Sequence, residues 1–253
     1  MTGEFTGTRA LVTGGGTGIG RASATALARL GCFVTVAGRT RRTLDETVAL
    51  IRDAGGDGAA VVCDVSEEAS VQHAVQVAAG DGGRLDFGVN SAGVSGGDAL
   101  EALADYSDAQ FDRMIAIDLR GAFYSMKHEI RSMVPFGKGA IVNIASGAGL
   151  VGVPGFAGYV AAKHGQIGLT KAAALDYGRR GIRVNAIAAG LVDTPLIAEG
   201  RAPEVTAARI AAHPIGRVGR PEEIADAVVW LCSDRSSFVT GTALPVDGGY
   251  VAQ

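Results

Sequence analysis

The chain is predicted to be an α/β protein: a doubly wound parallel sheet of about seven strands, helices on both faces, in one domain spanning residues 1–253. Three observations carry this expectation. Short apolar runs alternate with longer helical patterns along the chain, an order that builds parallel sheets because each crossover needs a helix-length connection. The first apolar run feeds a glycine-rich turn that opens into a helical stretch. Finally, 253 residues with 47% apolar and 19% charged side chains suit one sizeable core rather than a disordered chain. No internal repeat or low-complexity linker divides it.

Taken in order, the strands are expected at Arg9–Thr13, Phe33–Ala37, Ala59–Cys63, Phe87–Asn90, Ala140–Ala145, Arg183–Ala188 and Ala243–Val246. Each is a short apolar run bounded by polar or glycine-containing segments. Helices fill most of the gaps. Arg21–Leu30 follows the glycine turn, Asp108–Val134 precedes the fifth strand, and Gly155–Arg179 follows it. In such a sheet a ligand sits beyond the carboxyl ends of the strands. Thr13, Asn90, Ser146 and Ala188 all fall at or just beyond those ends, so separate segments converge on one cleft.

Composition excludes several function classes. A net charge of −3 provides no basic footprint for nucleic acid. Residues 1–7 are too polar for a signal peptide. Residues 139–162 carry no charge, but Pro154 and several glycines break them into strand, loop and helix start rather than a membrane span. Cys32, Cys63 and Cys232 are odd in number and widely spaced, as expected of reduced thiols in a cytoplasmic protein. The four histidines do not cluster, and no metal site is expected.

The chemistry is concentrated in Ser146, Tyr159 and Lys163. In Tyr159-Val160-Ala161-Ala162-Lys163 the phenol and the ammonium are four residues apart, one above the other on a helix face. A phenol ordinarily ionises near pH ~10, and a cation held beside it favours phenolate, which suits it to exchange a proton near neutrality. Ser146 follows the apolar run Ala140–Ala145. A hydroxyl at that strand end can hydrogen-bond an oxygen whose charge grows during reaction. A lone Tyr-x-x-x-Lys also occurs on ordinary helices, so the rest of the chain must decide. Thr13-Gly14-Gly15-Gly16-Thr17-Gly18-Ile19-Gly20 supplies the second signal. Glycines there permit a sharp turn and close approach to a pyrophosphate, whose charge the following helix N-terminus can bind.

Together these residues resemble the short-chain dehydrogenase/reductase family in its common single-domain form, over nearly the whole chain, from Gly7 to Gly249. The family's Thr-Gly-x-x-x-Gly-x-Gly motif is met by Thr13, Gly14, Gly18 and Gly20, and its Ser, Tyr and Lys by Ser146, Tyr159 and Lys163. Asp64-Val65, Asn90-Ser91-Ala92-Gly93 (apart from Ser91), Arg183-Val184-Asn185, Asp193-Thr194-Pro195 and Asp247-Gly248-Gly249 match further family segments. The resemblance implies a Rossmann-like fold and reversible hydride transfer between a nicotinamide and a secondary alcohol–ketone pair, with Tyr159 as acid/base. It implies cofactor contacts from Gly14, Thr17, Gly18, Ile19, Gly20, Arg39, Asp64, Val65, Asn90, Ala92, Gly93, Tyr159, Lys163, Gly190, Val192 and Thr194. It also implies a homotetramer. The Asp108–Val134 segment fits this, because Phe111, Met114, Ile115, Leu119, Phe123, Met126, Ile130 and Met133 exceed the single apolar stripe of a surface helix.

Three positions depart from or refine the pattern. Asp118, in Ile117-Asp118-Leu119, stands where the family usually has a catalytic Asn. The resemblance implies that its backbone carbonyl can keep the Asn's role while its carboxylate adds a charge, or that the substitution is tolerated without new chemistry. Ala189-Gly190 replaces the usual Pro-Gly. Gly38 replaces the acid that binds a ribose in NAD enzymes, and Arg39 beside it can fork onto a 2′-phosphate, so NADP is expected over NAD, with NAD still possible. Leu191–Pro214 is expected to cover the substrate, Ser95–Leu103 to form another wall, and Val151, Val153, Phe156 and Leu196 to make the pocket partly apolar. The substrate is expected to be a small carbonyl or alcohol. Arg201 and Arg209 keep a 3-oxoacyl-carrier reductase open as an alternative, and a non-catalytic nucleotide sensor or scaffold is the alternative of a different class.

Overall fold

In the computed structural model of the chain, residues 3–95, 101–195 and 203–252 are described. All seven expected strands form: β1 (Arg9–Thr13), β2 (Phe33–Gly38), β3 (Asp57–Val62), β4 (Phe87–Asn90), β5 (Gly139–Ile144), β6 (Ile182–Ala189) and β7 (Ala243–Val246). They make one parallel sheet in the order β3-β2-β1-β4-β5-β6-β7. The order reverses between β1 and β4, which opens a crevice beyond their carboxyl ends. Thr13 pairs with both Ala37 and Asn90, and Asn90 with Asn143, so these strand ends lie side by side.

The helices are α1 (Gly18–Arg29), α2 (Arg41–Asp53), α3 (Glu68–Ala79), α4 (Asp108–Met114), α5 (Gly121–Met133), α6 (Ala157–Tyr177), α7 (Pro203–Ala211) and α8 (Pro221–Cys232). Alternation along the strands sends side chains to opposite faces. Val12, Val34, Val36, Val89 and Val142 meet Leu27 of α1, Ile51 of α2 and Val228 of α8. Leu11, Ile141 and Val184 meet Ala74 of α3, Met126 and Ile130 of α5 and Ala174 of α6. Leu11 and Ile141 are fully buried, and truncating either to Ala should cost about 2–5 kcal/mol. Cys32, Cys63 and Cys232 are buried free thiols. Burial pushes the Cys32 thiol up to about 12, which keeps it unreactive.

The structure corrects one expected element. Asp108–Val134 is not one continuous α-helix: a π-helical turn, Ile115–Arg120, separates α4 from α5, and a 3₁₀ turn at Val134–Phe136 ends the segment around Pro135. Asp118 lies within the π turn and is buried. Its carboxylate accepts from the backbone N–H of Val94 at 3.3 Å and pairs with Lys163. The widened turn accompanies this inward aim, as π turns at polar sites commonly do. Phe111 and Phe123, on either side of it, remain 40% and 44% exposed.

Candidate active site

The glycine turn lies where the crevice opens. Gly14 and Gly18 have φ of +65° and +49°, conformations open to glycine and costly for other residues. A Cβ on Gly14 would lie 2.8 Å from the backbone of Ser91 and Ala92, and one on Gly20 2.3 Å from the Gly14 carbonyl oxygen. A Cβ on Gly18 would lie 2.9 Å from Thr194 Cγ2. The turn therefore brings Gly14 against the Asn90–Gly93 loop and Gly18 against Thr194, with Thr17, Ile19 and Gly20 beside them in the chain. The cradle fits a dinucleotide, because removing side chains from these positions lets backbone approach a pyrophosphate at the start of α1.

Arg39 stands just past β2. Its neighbours Arg41 and Arg42 are bound to Asp45 and Glu46, and Arg21 also reaches Glu46. Among the described residues no carboxylate lies within 4.0 Å of Arg39. Asp64 is held below its ordinary carboxylate range chiefly by the Ser66 hydroxyl and backbone N–H, with a smaller contribution from Arg39. Asp64 thus lies within electrostatic reach of Arg39.

Ser146 caps a short 3₁₀ turn after β5, where its Oγ accepts from the N–H of Ala148 at 3.2 Å. That bond uses an acceptor site and leaves the hydroxyl proton to donate elsewhere. Tyr159 and Lys163 share one face of α6, with the Lys163 ammonium 5.5 Å from the centre of the Tyr159 ring. Lys163 is buried and has three partners: Asp118 Oδ1 at 3.2 Å, the Ile144 carbonyl at 3.2 Å and Gln166 Oε1 at 3.3 Å. An ammonium has three N–H donors, so all are engaged. Burial alone would lower the Lys163 pKa, but the charges of Asp118 and Tyr159 outweigh it and leave it raised. Burial lifts the Asp118 carboxyl above its ordinary range, against the pull of Lys163.

Beneath these groups runs a buried polar spine that the sequence reading missed. Thr170 Oγ1 donates to the Gln166 carbonyl, Asn143 donates to Thr170 Oγ1, and Asn90 donates to both Asn143 Oδ1 and Glu129 Oε2. Glu129 is fully buried against Gly88, where a Cβ would come within 2.5 Å of the carboxylate. Burial pushes the Glu129 carboxyl up to about 7, and the Asn90 hydrogen bond only partly opposes this. Glu129 Oε1 and Asn90 Oδ1, both acceptors, lack partners among the described residues. A proton on Glu129 would turn one of its two acceptor oxygens into a donor. Periodicity could have revealed it, since Glu129 falls on the face carrying Met126, Ile130 and Met133.

The expected walls are partly in place. Val153, Pro154, Ala157 and Val160 line an open groove of about 390 Å³ with Glu101 and Leu103. Phe156 is buried, edge-on to Tyr159 and under the Arg209 guanidinium of α7. Gly190 and Val192 sit at the end of β6, where Val192 bridges to Gly219. Leu196 and Arg201, with residues 96–100 and 196–202 of the two walls, lie outside the described residues. Among the described residues no group of three or more His, Cys, Asp or Glu could hold a metal ion, and no helix is long and apolar enough to cross a membrane.

Residues 14–251 match a family model described as enoyl-(acyl carrier protein) reductase. The chain is 42% identical to cyclohexanol dehydrogenase from Acinetobacter sp. (strain SE19), over 100% of this chain and 98% of that protein. The chain belongs to the short-chain dehydrogenase/reductase family. It is also 44% identical to cis-4-hydroxycyclohexanecarboxylate dehydrogenase from Sinomonas cyclohexanicum, with 96% of each chain covered. The crystal structure of levodione reductase superposes with a TM-score of 0.93 at 36% identity, covering 98% of this chain and 99% of that one. This short-chain dehydrogenase/reductase is accordingly a nicotinamide-dependent oxidoreductase acting on a secondary alcohol–ketone pair.

Proposed function

We propose that this enzyme interconverts the alcohol and ketone of a six-membered carbon ring, as one domain, with Tyr159 exchanging the proton. The observation that carries the mechanism is the position of the Lys163 ammonium over the Tyr159 ring on α6, at the crevice edge where Ser146 follows β5. Bound nicotinamide would supply or accept the hydride. Ser146 donates its free hydroxyl proton to the substrate oxygen and orients it. In reduction Tyr159 gives that oxygen its proton, and in oxidation it takes the proton back. Lys163 keeps a positive charge beside the phenol. It must give up one of its three internal hydrogen bonds to hold a cofactor ribose hydroxyl. Asp118 balances that charge and stands on the proton path to the lysine.

Ring substrates are supported by relatives named for cyclohexane-ring alcohols and by the largely apolar groove lined by Leu103, Val153, Ala157 and Val160. They are preferred to a 3-oxoacyl carrier because Arg209, one of the arginines expected to meet the carrier's phosphate, packs over Phe156. NADP(H) is preferred because Arg39, unlike Arg41 and Arg42, has no described carboxylate partner and no acid replaces Gly38. We further propose a cytoplasmic homotetramer, the exposed Phe111 and Phe123 marking faces a symmetry mate covers. A monomeric mass by light scattering would reject the tetramer.

The deciding experiment assays cyclohexanol, 4-hydroxycyclohexanecarboxylate and a 3-oxoacyl thioester with both cofactors. The ring alcohols should show the highest kcat/KM. Cofactor binding without turnover of any of them would favour the non-catalytic sensor instead.

A further inference from the structure

We propose that His213 is a positioning residue: as a neutral imidazole protonated on Nδ1, it fastens the end of α7 to the strand end where the nicotinamide segment begins. The proposal rests on the reading of Gly190–Thr194 as that segment.

The tautomer follows from the partners. The Leu191 amide N–H donates to His213 Nε2 at 3.0 Å. An amide nitrogen cannot accept, so Nε2 carries no proton. Nδ1 lies 2.7 Å from the Arg209 carbonyl oxygen. A carbonyl cannot donate, so the proton is on Nδ1. One side chain thereby joins the last turn of α7 to Leu191, the second residue after β6.

Main-chain hydrogen bonds tie the segment after β6 to β7 and to Gly219. Gly190 donates to the Val246 carbonyl at 3.1 Å, Gly219 donates to the Leu191 carbonyl at 2.8 Å, and Asp193 donates to the Gly219 carbonyl at 2.9 Å. Among the described residues His213 supplies its side-chain bond. The imidazole also stacks on the Tyr250 ring, at 5.0 Å and 20°. That ring fills the space beside Gly147, where a Cβ would fall 2.9 Å from Tyr250 Cδ1. Gly147 follows Ser146, so a continuous run of packed groups joins the Ser146 turn, the C-terminal segment, His213 and Leu191. On its other side α7 reaches Tyr159 through Arg209 and Phe156.

Protonation of Nε2 would turn an acceptor into a donor facing a donor, and the Leu191 bond would be lost. Burial holds the His213 pKa below the ordinary histidine range and outweighs Asp247, which favours the imidazolium. The other titratable groups nearby are Tyr250, stacked on the ring, Arg209, whose guanidinium is turned over Phe156, and Asp193, which is exposed. At neutral pH the fastening is closed, and it opens in acid.

The test compares His213→Leu, which removes the acceptor, with His213→Gln, whose amide oxygen can replace Nε2. Losing one such bond should raise the cofactor KM about three- to tenfold while changing kcat far less. Amide hydrogen exchange across residues 190–193 should quicken in His213→Leu and stay near wild type in His213→Gln. The rise of the parent's cofactor KM below the histidine range should vanish in both variants. A wild-type cofactor KM with unchanged exchange in His213→Leu would overturn the proposal, as would an acid rise that persists in His213→Gln. If the parent binds no nicotinamide, the functional reading fails, and the exchange comparison still decides the fastening.

Discussion

Lys163 Nζ lies 3.2 Å from Asp118 Oδ1, and both side chains are buried. Neither charge has bulk water to fall back on, so each depends on the other. The Asp118 charge raises the Lys163 pKa. The stability this contributes is present below the pKa of an unfolded lysine and lost as pH rises through the folded one. Asp118→Ala strands the ammonium and should cost about 3–5 kcal/mol in urea unfolding. Asp118→Asn keeps an acceptor, so it should fold better. Its alkaline rate limb should move to lower pH, because the charge that raised Lys163 is gone. An alkaline limb that stays in place would remove Asp118 from the proton path.

Tyr159→Phe preserves the ring over which Lys163 sits and removes only the hydroxyl. Turnover should fall ~10²–10⁴-fold, while cofactor affinity, read by fluorescence titration, stays nearly constant. Lys163→Ala should weaken both. Near-wild-type turnover by Tyr159→Phe would mean the proton comes from another group.

Arg39 should distinguish the two cofactors. NADPH is expected to bind more tightly than NADH, and Arg39→Ala should erase the difference while leaving NADH affinity unchanged. One charge-assisted contact is worth roughly 1.5–3 kcal/mol, or about ten- to a hundredfold in affinity. Equal binding of the two cofactors by the parent would refute the preference.

Glu129 makes stability fall with rising pH. Its carboxyl moves from 4.5 to about 7 on folding, so between those values the folded chain holds a proton that the unfolded chain releases. The slope of unfolding free energy with pH is therefore negative across that window, with a total loss on the order of 3 kcal/mol. Glu129→Gln mimics the neutral acid. It should remove this slope and be more stable than the parent at pH ~8. Identical pH–stability curves for the two proteins would show that Glu129 is ionised when folded.

The sheet was legible in the sequence because each strand is an apolar run set off by polar or glycine-containing segments. Strand ends moved by at most two residues, as at β3, where Asp57 and Gly58 extend the expected Ala59 start. Ser146, Tyr159, Lys163 and the glycine turn were legible because their spacing is local. What escaped depends on contacts far apart in the chain. Glu129 lies on the face of Met126, Ile130 and Met133, so periodicity turns it inward, but the room for its carboxylate comes from Gly88 on β4. His213 gains its meaning only from Leu191, 22 residues away. The break in the Asp108–Val134 helix is flanked by Gly121, but one glycine does not specify a π turn, and the inward pull on Asp118 is tertiary.

The π turn has a consequence for the arithmetic of the chain. In an α-helix each residue advances the side-chain direction by about 100°, whereas a π turn lets an extra residue pass with less rotation. Asp118 therefore faces Lys163 by virtue of how many residues precede Gly121, as well as which ones. Removing one residue from 115–117 would allow the turn to relax to α geometry and swing the carboxylate about a quarter-turn around the axis. An aligned acid in a chain without this extra residue would then point elsewhere. Residue identity at this position becomes informative only when the local residue count is read with it.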